Sequence, residues 1–273
     1  MAALADVINA LETAYPPALA ESWDAVGLVC GDPAEGVEKV LVCVDPVTAT
    51  VDEAIEFGAQ LIVAHHPLLL RGVHGVAADT PKGRLVHRLI RGGIALYCAH
   101  TNADSAAPGV SDALAQAIGL QVRGTLDPQA QHDGTGIGRI GELPAPEPFS
   151  AFVERVARAL PRTEPGVLGA GDPDRLIRTV AVSGGAGDGY LAAVRETGVD
   201  AYVTADLRHH PALEHLEAGG PALVGVTHWA SEWPWCEQAS AVLRAAFAGN
   251  VEVHVSTLPT NPWTIRSSRE NDR

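Results

Sequence analysis

Two short segments of this chain repeat one arrangement, in which a strand-like apolar run ends at a histidine and a carboxylate follows four residues later. The first segment runs from His100 to Asp104 and the second from His228 to Glu232. The two histidines are 128 residues apart, and so are the two carboxylates. A fixed offset between matching motifs indicates an internal duplication. We therefore expect two similar halves, each with polar side chains at strand ends.

A third strand-like run, at residues 61–64, ends at His65-His66-Pro67. Pro67 disfavours a helical conformation of His66, which favours a strand end with both imidazoles near the loop. Taken alone, such a histidine pair is more typical of buried side chains that bond to backbone carbonyls. Repeated at several strand ends together with carboxylates, however, histidines are the side chains from which hydrolytic metal sites are built. The pattern therefore predicts a metal site.

The order of strand-like and helix-like segments predicts an α/β fold. Apolar runs at residues 39–44 and 94–99 alternate with helical patterns such as that at residues 48–57. This alternation predicts mixed, mostly parallel sheets covered by helices, with ligands at the carboxyl ends of the strands. We predict an N-terminal lobe at 1–126, a C-terminal lobe at 127–266, a metal site in the cleft between them and a disordered tail at 267–273.

Composition limits the possible classes of function. The chain has 273 residues, 47% of them hydrophobic and 19% charged, which is typical of a compact globular protein. We find no run near the ~18 apolar residues that a membrane span needs and no secretory signal pattern, so we expect a cytoplasmic protein without membrane contact. The formal net charge of −14 argues against a nucleic-acid polymer as partner. The four cysteines lack the CxxC spacing of a thiolate zinc site.

Other candidate residues allow more than one interpretation. The loop from Gly184 to Gly189 is typical of a tight strand-to-helix turn, although backbone N–H groups in such a loop can also bind phosphate. Arg139 is a second candidate for a phosphate contact. Asp104 has the alternative role of a helix or turn cap. The roles of His209 and His210 are left open by the sequence.

Together the motifs resemble the Nif-three-like dinuclear metal-centre family, many of whose members are called GTP cyclohydrolase 1 type 2 homologues. The resemblance extends from about Leu4 to Ile265. It rests on five segments, namely Trp23 to Leu28, Ile62 to Leu68, Ala99 to Asp104, Gly136 to Leu143, and His228 to Glu232.

The resemblance implies two divalent metal ions per subunit and a toroidal homohexamer. It places the metal ligands at His65, His66, Asp104, His228 and Glu232. It also places His100 beside the centre, as a proton carrier or as a group that supports a ligand. Imidazole and carboxylate ligands suit zinc, iron, manganese or nickel, so the metal is not identified by the sequence.

Two positions depart from the family pattern. Thr204-Ala205-Asp206 stands where Thr-Gly-Asp/Glu is common, and Trp229 stands where another histidine or an aromatic residue is frequent. Some members also carry an inserted domain between the halves, and the short connector here predicts none.

Two classes of function follow from these residues. The first is a metal-dependent hydrolase acting on a nucleotide. A bound divalent ion lowers the pKa of water from ~15.7 towards ~7, and the hydroxide would attack the C8 carbon of guanine in GTP while His100 moves protons. The second is a non-enzymatic metal-binding or metal-delivery protein. A variant of the first keeps the metals but acts on a phosphate ester or another heterocycle.

Overall fold

The computed structural model describes residues 1–129 and 134–267. They form two compact units. Unit 1 consists of Met1–Gly109 and Trp235–Thr260, and unit 2 consists of Val110–Pro234 and the described residues after Thr260.

Strands and helices alternate along much of the chain. The strands are β1 (Ala2–Ala3), β2 (Gly27–Cys30), β3 (Gly36–Val37), β4 (Lys39–Cys43), β5 (Leu61–Ala64), β6 (Ala95–Cys98), β7 (Gln121–Pro128), β8 (Gly136–Pro148), β9 (Leu168–Ala170), β10 (Leu176–Ala186), β11 (Ala201–Ala205), β12 (Ala222–Val226) and β13 (Glu252–Val255). The α-helices are α1 (Leu4–Ala14), α2 (Thr48–Phe57), α3 (Pro81–Arg91), α4 (Thr101–Ser105), α5 (Val110–Ala117), α6 (Phe149–Ala159), α7 (Leu191–Thr197), α8 (His209–Glu217) and α9 (His228–Phe247). Short 3-10 turns occur at Pro17–Leu19 and Asp188–Tyr190.

The main sheet of unit 1 has five strands in the order β13-β4-β5-β6-β2. The first four run parallel, and β2 is antiparallel to β6 at the edge. All four residues of β5 are buried, as expected of a parallel strand with both faces covered. A core of apolar side chains such as Leu41, Ile62 and Leu89 joins this sheet to the helices. The carboxyl ends of β4, β5 and β6 consequently meet at one edge.

The sheet of unit 2 has six strands in the order β7-β8-β10-β11-β12-β9. Strands β10, β11 and β12 run parallel, whereas the other three pairings are antiparallel. The predicted mixed sheet is therefore present, but the expectation that it is mostly parallel is wrong for this unit. The reason is that β7 and β8 pair with each other and β8 continues against β10, which adds two antiparallel pairings that helix–strand alternation does not reveal.

The units divide the chain differently from the boundary predicted at residue 126, which falls inside β7. Because β7 pairs with β8 and α5 packs against β8 and β10, the chain from Val110 onward belongs to unit 2. The C-terminal part of α9 and β13 belong to unit 1, since β13 pairs with β4. Apart from Ser267, the tail predicted at 267–273 lies outside the described residues.

Both sheets contain three parallel strands bordered by an antiparallel edge strand: β4, β5 and β6 with β2, and β10, β11 and β12 with β9. This shared order agrees with an internal duplication, which itself stays a prediction. Among the described helices, none combines the length and the apolar character that crossing a bilayer would require.

Candidate metal centre

Three imidazoles of unit 1 gather at the carboxyl ends of β5 and β6. His65 and His66 directly follow β5, and His100 comes two residues after β6. The ring centroids lie 5.0 Å apart for His65 and His66, 5.3 Å for His65 and His100, and 5.6 Å for His66 and His100. One ring nitrogen of each lies within 4.8 Å of the other two. These nitrogens are close enough to ligate a common metal centre.

The Nδ1 atom of each of these imidazoles is held by an oxygen. His65 Nδ1 lies 2.8 Å from the carbonyl oxygen of Ala99, His66 Nδ1 lies 2.7 Å from Asp45 Oδ1, and His100 Nδ1 lies 2.9 Å from Asp24 Oδ1. A carbonyl oxygen can only accept, so Nδ1 of His65 carries the proton and its Nε2 keeps a lone pair. Metal-ligating histidines are typically oriented in this way by a carboxylate or a carbonyl.

The two aspartates that hold His66 and His100 are themselves fixed. Asp24 Oδ2 accepts hydrogen bonds from the Thr101 backbone N–H at 3.0 Å and from the Thr101 hydroxyl at 2.5 Å, and Asp45 accepts one from the Thr260 hydroxyl. Burial on its own would raise the pKa of Asp24, but the hydrogen bonds from Thr101 and His100 outweigh it and keep that pKa below its usual value. Asp24 is therefore a carboxylate at neutral pH and can orient His100.

Burial lowers the pKa of His100 to about 4, and the neighbouring His65 adds to this effect while Asp24 opposes it. The imidazole is accordingly neutral at physiological pH. A neutral imidazole is the form that can ligate a metal ion.

Asp104 lies beside the imidazoles on the short helix α4, which starts directly after His100. Its Oδ1 atom is 3.7 Å from His65 Nε2. Two tryptophans border the cluster: the ring of buried Trp235 is 5.1 Å from that of His65, and the ring of Trp23 is 6.0 Å from that of His100. Predicted ligands His65, His66 and Asp104 are thus brought together within unit 1, and His100 joins them.

In unit 2, the first turn of α9 brings His228 and Glu232 together. Because residues four apart share a helix face, His228 Nε2 approaches Glu232 Oε1 to 2.9 Å. On its other side, His228 Nδ1 lies 2.6 Å from Asp206 Oδ2. Glu232 is only 3% exposed. A buried carboxylate beside an imidazole whose other nitrogen is held by an aspartate matches the donor chemistry of a metal site.

The glycine-rich segment predicted as a loop at residues 184–189 approaches this pair, and in the structure it comprises the end of β10 and the start of the 3-10 turn at Asp188–Tyr190. Gly185 has φ +68°, and a Cβ there would lie 2.5 Å from Glu232 Oε1 and 3.3 Å from His228 Nε2. Its N–H donates to the Ser231 hydroxyl at 2.9 Å, and its carbonyl accepts from Thr204 Oγ1 at 3.1 Å. Gly185 therefore gives the backbone room beside the carboxylate, and its N–H is already used within the protein.

Arg139 does not serve as the phosphate contact considered from the sequence. Its side chain is buried, and it donates to Asp112 at 3.0 Å and to the carbonyls of Gly136 and Gly138 at 2.7 and 2.8 Å. This arginine fixes the start of β8 against α5. His209 and His210 begin α8, where their rings lie 5.1 Å apart.

Sequence reasoning missed the aspartates that orient the histidines, namely Asp24, Asp45 and Asp206. A signal was available for two of them, because Asp45 follows β4 by two residues and Asp206 directly follows β11. Asp206 also has φ 54°, a left-handed conformation that aspartate tolerates better than most residues. The departure at Thr204-Ala205-Asp206 therefore keeps the carboxylate that bonds to His228.

Fold and site together define the class: an α/β protein in which imidazoles, oriented through Nδ1, gather with carboxylates as candidate metal ligands. The pattern of the Duf34/NIF3 (NGG1p interacting factor 3) family matches residues 2–262. The chain belongs to this family.

Relatives resemble the chain over nearly its whole length. A Streptomyces coelicolor protein named GTP cyclohydrolase 1 type 2 homolog is 51% identical over 269 residues, covering 97% of this chain and 94% of the relative. A Mycobacterium tuberculosis protein of the same name is 43% identical over 376 aligned positions, covering 99% of both chains. That alignment is longer than the 273 residues of this chain, so the mycobacterial relative carries residues absent here.

A solved structure has the same fold. The crystal structure of a Bacillus cereus protein related to NIF3 has a TM-score of 0.89 and 25% sequence identity to this chain, covering 97% of this chain and 99% of the Bacillus protein.

Proposed function

We propose that this chain is a metal-dependent hydrolase that acts on a nucleotide and holds two divalent ions per subunit. The proposed ligands are His65, His66 and Asp104 of unit 1 and His228 and Glu232 of unit 2. His100 belongs to the same imidazole cluster as His65 and His66 and is proposed to support the centre. The relatives' name, GTP cyclohydrolase 1 type 2 homolog, supports the nucleotide as substrate class.

The metal proposal depends on one observation, the hydrogen-bond partner of each Nδ1 atom. Four histidines bind an oxygen through Nδ1: the carbonyl of Ala99 and the carboxylates of Asp24, Asp45 and Asp206. Packing of histidines alone gives no reason for such regularity, whereas metal-ligating histidines are typically oriented by an oxygen bound to the other ring nitrogen. The donor set of imidazole and carboxylate suits zinc, iron, manganese or nickel.

When bound, divalent ions would supply a Lewis acid and lower the pKa of water. Side chains of the protein orient the proposed ligands and keep space beside them. Asp45 and Asp24 fix the rings of His66 and His100, and Trp235 packs against the ring of His65. Gly185 leaves space beside the Glu232 carboxylate. A larger residue at position 185 would occupy the space next to Glu232 Oε1 that a bound ligand needs.

The test combines metal analysis with turnover. Anaerobically purified protein should contain bound divalent metal and change the ultraviolet spectrum of GTP. Glu232→Gln should abolish the spectral change, whereas Glu237→Gln, an exposed substitution on the same helix, should leave it intact. Bound metal that exchanges readily, with no turnover of any nucleotide, would support the alternative of a metal-binding or metal-delivery protein. Turnover of a phosphate ester or another heterocycle would keep the hydrolase and change its substrate.

The homohexamer implied by the family resemblance and the cytoplasmic location stay predictions. Light scattering of the purified chain tests the first, and cell fractionation tests the second.

A further inference from the structure

Two adjoining cavities in unit 2 lie next to His228, one of the proposed metal ligands. The larger has a volume of about 510 Å³ and is lined largely by apolar residues, including Leu168, Leu207 and Leu223. The smaller has a volume of about 200 Å³, and its charged lining residues are Arg162, Glu164 and Arg266. The two share Gly166, Val226 and Thr227 in their walls.

Both cavities connect to the candidate metal ligand His228 through the backbone, and the larger cavity also connects to it through a carboxylate. Thr227 directly precedes His228, and Asp206, which lies 2.6 Å from His228 Nδ1, lines the larger cavity. The Thr227 hydroxyl donates to Thr163 Oγ1 at 3.2 Å, which joins the walls of the two cavities. A molecule in the larger cavity would therefore lie against the residues that position His228.

The smaller cavity has an excess of positive charge in a chain that is acidic overall. Other arginines of unit 2 are engaged, for example Arg155 with Glu147 at 2.7 Å and Arg139 with Asp112 at 2.8 Å. Within the described part of the chain, neither Arg162 nor Arg266 forms an ion pair with a carboxylate. A guanidinium group offers paired donors that match phosphate oxygens.

The larger cavity suits an uncharged ring. Its volume lies within the range of roughly 300–1,000 Å³ typical of small-molecule sites, which combine apolar walls with a few polar groups. At Gly225, on the wall of this cavity, a Cβ would meet, among the described residues, only Leu168 O at 3.9 Å and Leu207 Cδ1 at 4.0 Å. A larger side chain at this position would extend into the space that the ring needs.

We propose that these cavities form the substrate-binding site of unit 2, with a heteroaromatic ring in the larger cavity and a phosphate group at Arg162 and Arg266. The substrate class is then a nucleoside phosphate. This inference rests on the proposed function, because it gives the metal-dependent hydrolase a place for the two parts of its substrate.

The test measures binding rather than turnover, by calorimetry on the full chain with GMP, guanosine and inorganic phosphate as probes. GMP should bind more tightly than guanosine or phosphate. Arg162→Ala should weaken GMP binding by about tenfold or more, the size expected for a lost charge-assisted hydrogen bond, and leave guanosine binding unchanged. Arg158→Ala removes an exposed arginine at the end of α6, outside both cavities, and should leave GMP binding unchanged.

A second pair of variants tests the ring cavity at a single position. Gly225→Leu should abolish binding of both GMP and guanosine, whereas Gly225→Ala, which adds only the tolerated Cβ, should reduce it slightly. Circular dichroism and melting curves of each variant identify any loss of folding. If Gly225→Leu does not fold, the comparison of Arg162→Ala with Arg158→Ala, together with the affinities for GMP and guanosine, still tests whether the cavities bind a nucleoside phosphate.

Metal content, measured on the same samples, separates this inference from the proposed function. Metal bound normally, with GMP affinity unaffected by Arg162→Ala and by Gly225→Leu, would overturn the inference and leave the metal proposal standing. If the protein binds GMP as described but takes up no metal, the result would support the cavities as the substrate-binding site and contradict the proposed metal-dependent hydrolase.

Discussion

Asp45 Oδ1 lies 2.7 Å from Nδ1 of His66 and so fixes the orientation of this imidazole. Asp45 follows β4 and His66 follows β5. The two residues meet at one edge of the sheet because β4 and β5 are neighbouring parallel strands. Loss of such an orienting carboxylate typically lowers metal affinity by about 10–100-fold.

Asp45→Ala should therefore weaken metal binding by about 10–100-fold without unfolding unit 1. Metal titration with a competing chelator measures the affinity. Asp52→Ala is the matched control, since Asp52 is exposed and pairs with Arg88, and the metal affinity of this variant should equal that of the unaltered chain. Equal affinities for the two variants would show that Asp45 does not orient a ligand.

Gly185→Ala should disturb Glu232. The added Cβ would lie 2.5 Å from Glu232 Oε1 at a residue whose φ is +68°, and the left-handed conformation alone costs about 1–2 kcal/mol for a residue with a Cβ. We expect lower metal retention together with a lower free energy of unfolding. Gly189→Ala, in the 3-10 turn that follows β10, should change neither, since no heavy atom of the described residues lies within 4 Å of the added Cβ. Unchanged metal retention in Gly185→Ala would contradict the role assigned to this glycine.

Asp200 should make the stability of unit 2 depend on pH. Burial on its own would raise the pKa of Asp200, but hydrogen bonds from the backbone of Thr179 and Arg178 and from the Thr179 hydroxyl outweigh it, so the pKa lies below its usual value. A carboxyl whose pKa is lower in the folded state stabilises the fold above its unfolded pKa of about 3.9, and this stability is lost as pH falls through the folded pKa.

Asp200→Ala should accordingly lower the free energy of unfolding at pH 7 by about 1–3 kcal/mol, and the difference should shrink below pH 4. Urea denaturation between pH 3 and pH 7 measures it. Asp174→Ala, at an exposed position, should have little effect across this range. A difference for Asp200→Ala that is independent of pH would contradict the assigned cause.

Arg139→Met should destabilise unit 2 rather than alter nucleotide binding alone. It would leave Asp112 and the carbonyls of Gly136 and Gly138 without the donors of a buried guanidinium, and breaking a buried ion pair costs about 3–5 kcal/mol. Thermal unfolding monitors the loss. Weak nucleotide binding with full stability would instead assign Arg139 to the substrate.

The strand ends that carry histidines could be predicted from the sequence because each signal is local. The buried run Leu61–Ala64 precedes His65-His66, and the four-residue spacing of His228 and Glu232 places both on one helix face. The orienting aspartates could not be predicted, since the partners are distant: 76 residues separate His100 from Asp24 and 22 separate His228 from Asp206. Only the pairing of strands brings them together.

The antiparallel part of the second sheet could be predicted only in part, for a physical reason. Residues 125–148 are rich in glycine and proline, which is typical of a connector, and their pattern predicts only one short strand near residues 137–143. The structure extends this strand to Gly136–Pro148 and adds β7, because the two pair with each other and β8 pairs with β10.

Elemental analysis after purification without oxygen measures whether these imidazoles and carboxylates hold metal. We expect up to two divalent ions per chain, with the content reduced in both His65→Ala and Glu232→Gln and unchanged in Glu237→Gln. A chain that takes up no metal when supplied with zinc, iron, manganese and nickel, or the same metal content in all three variants, would contradict the proposed metal centre.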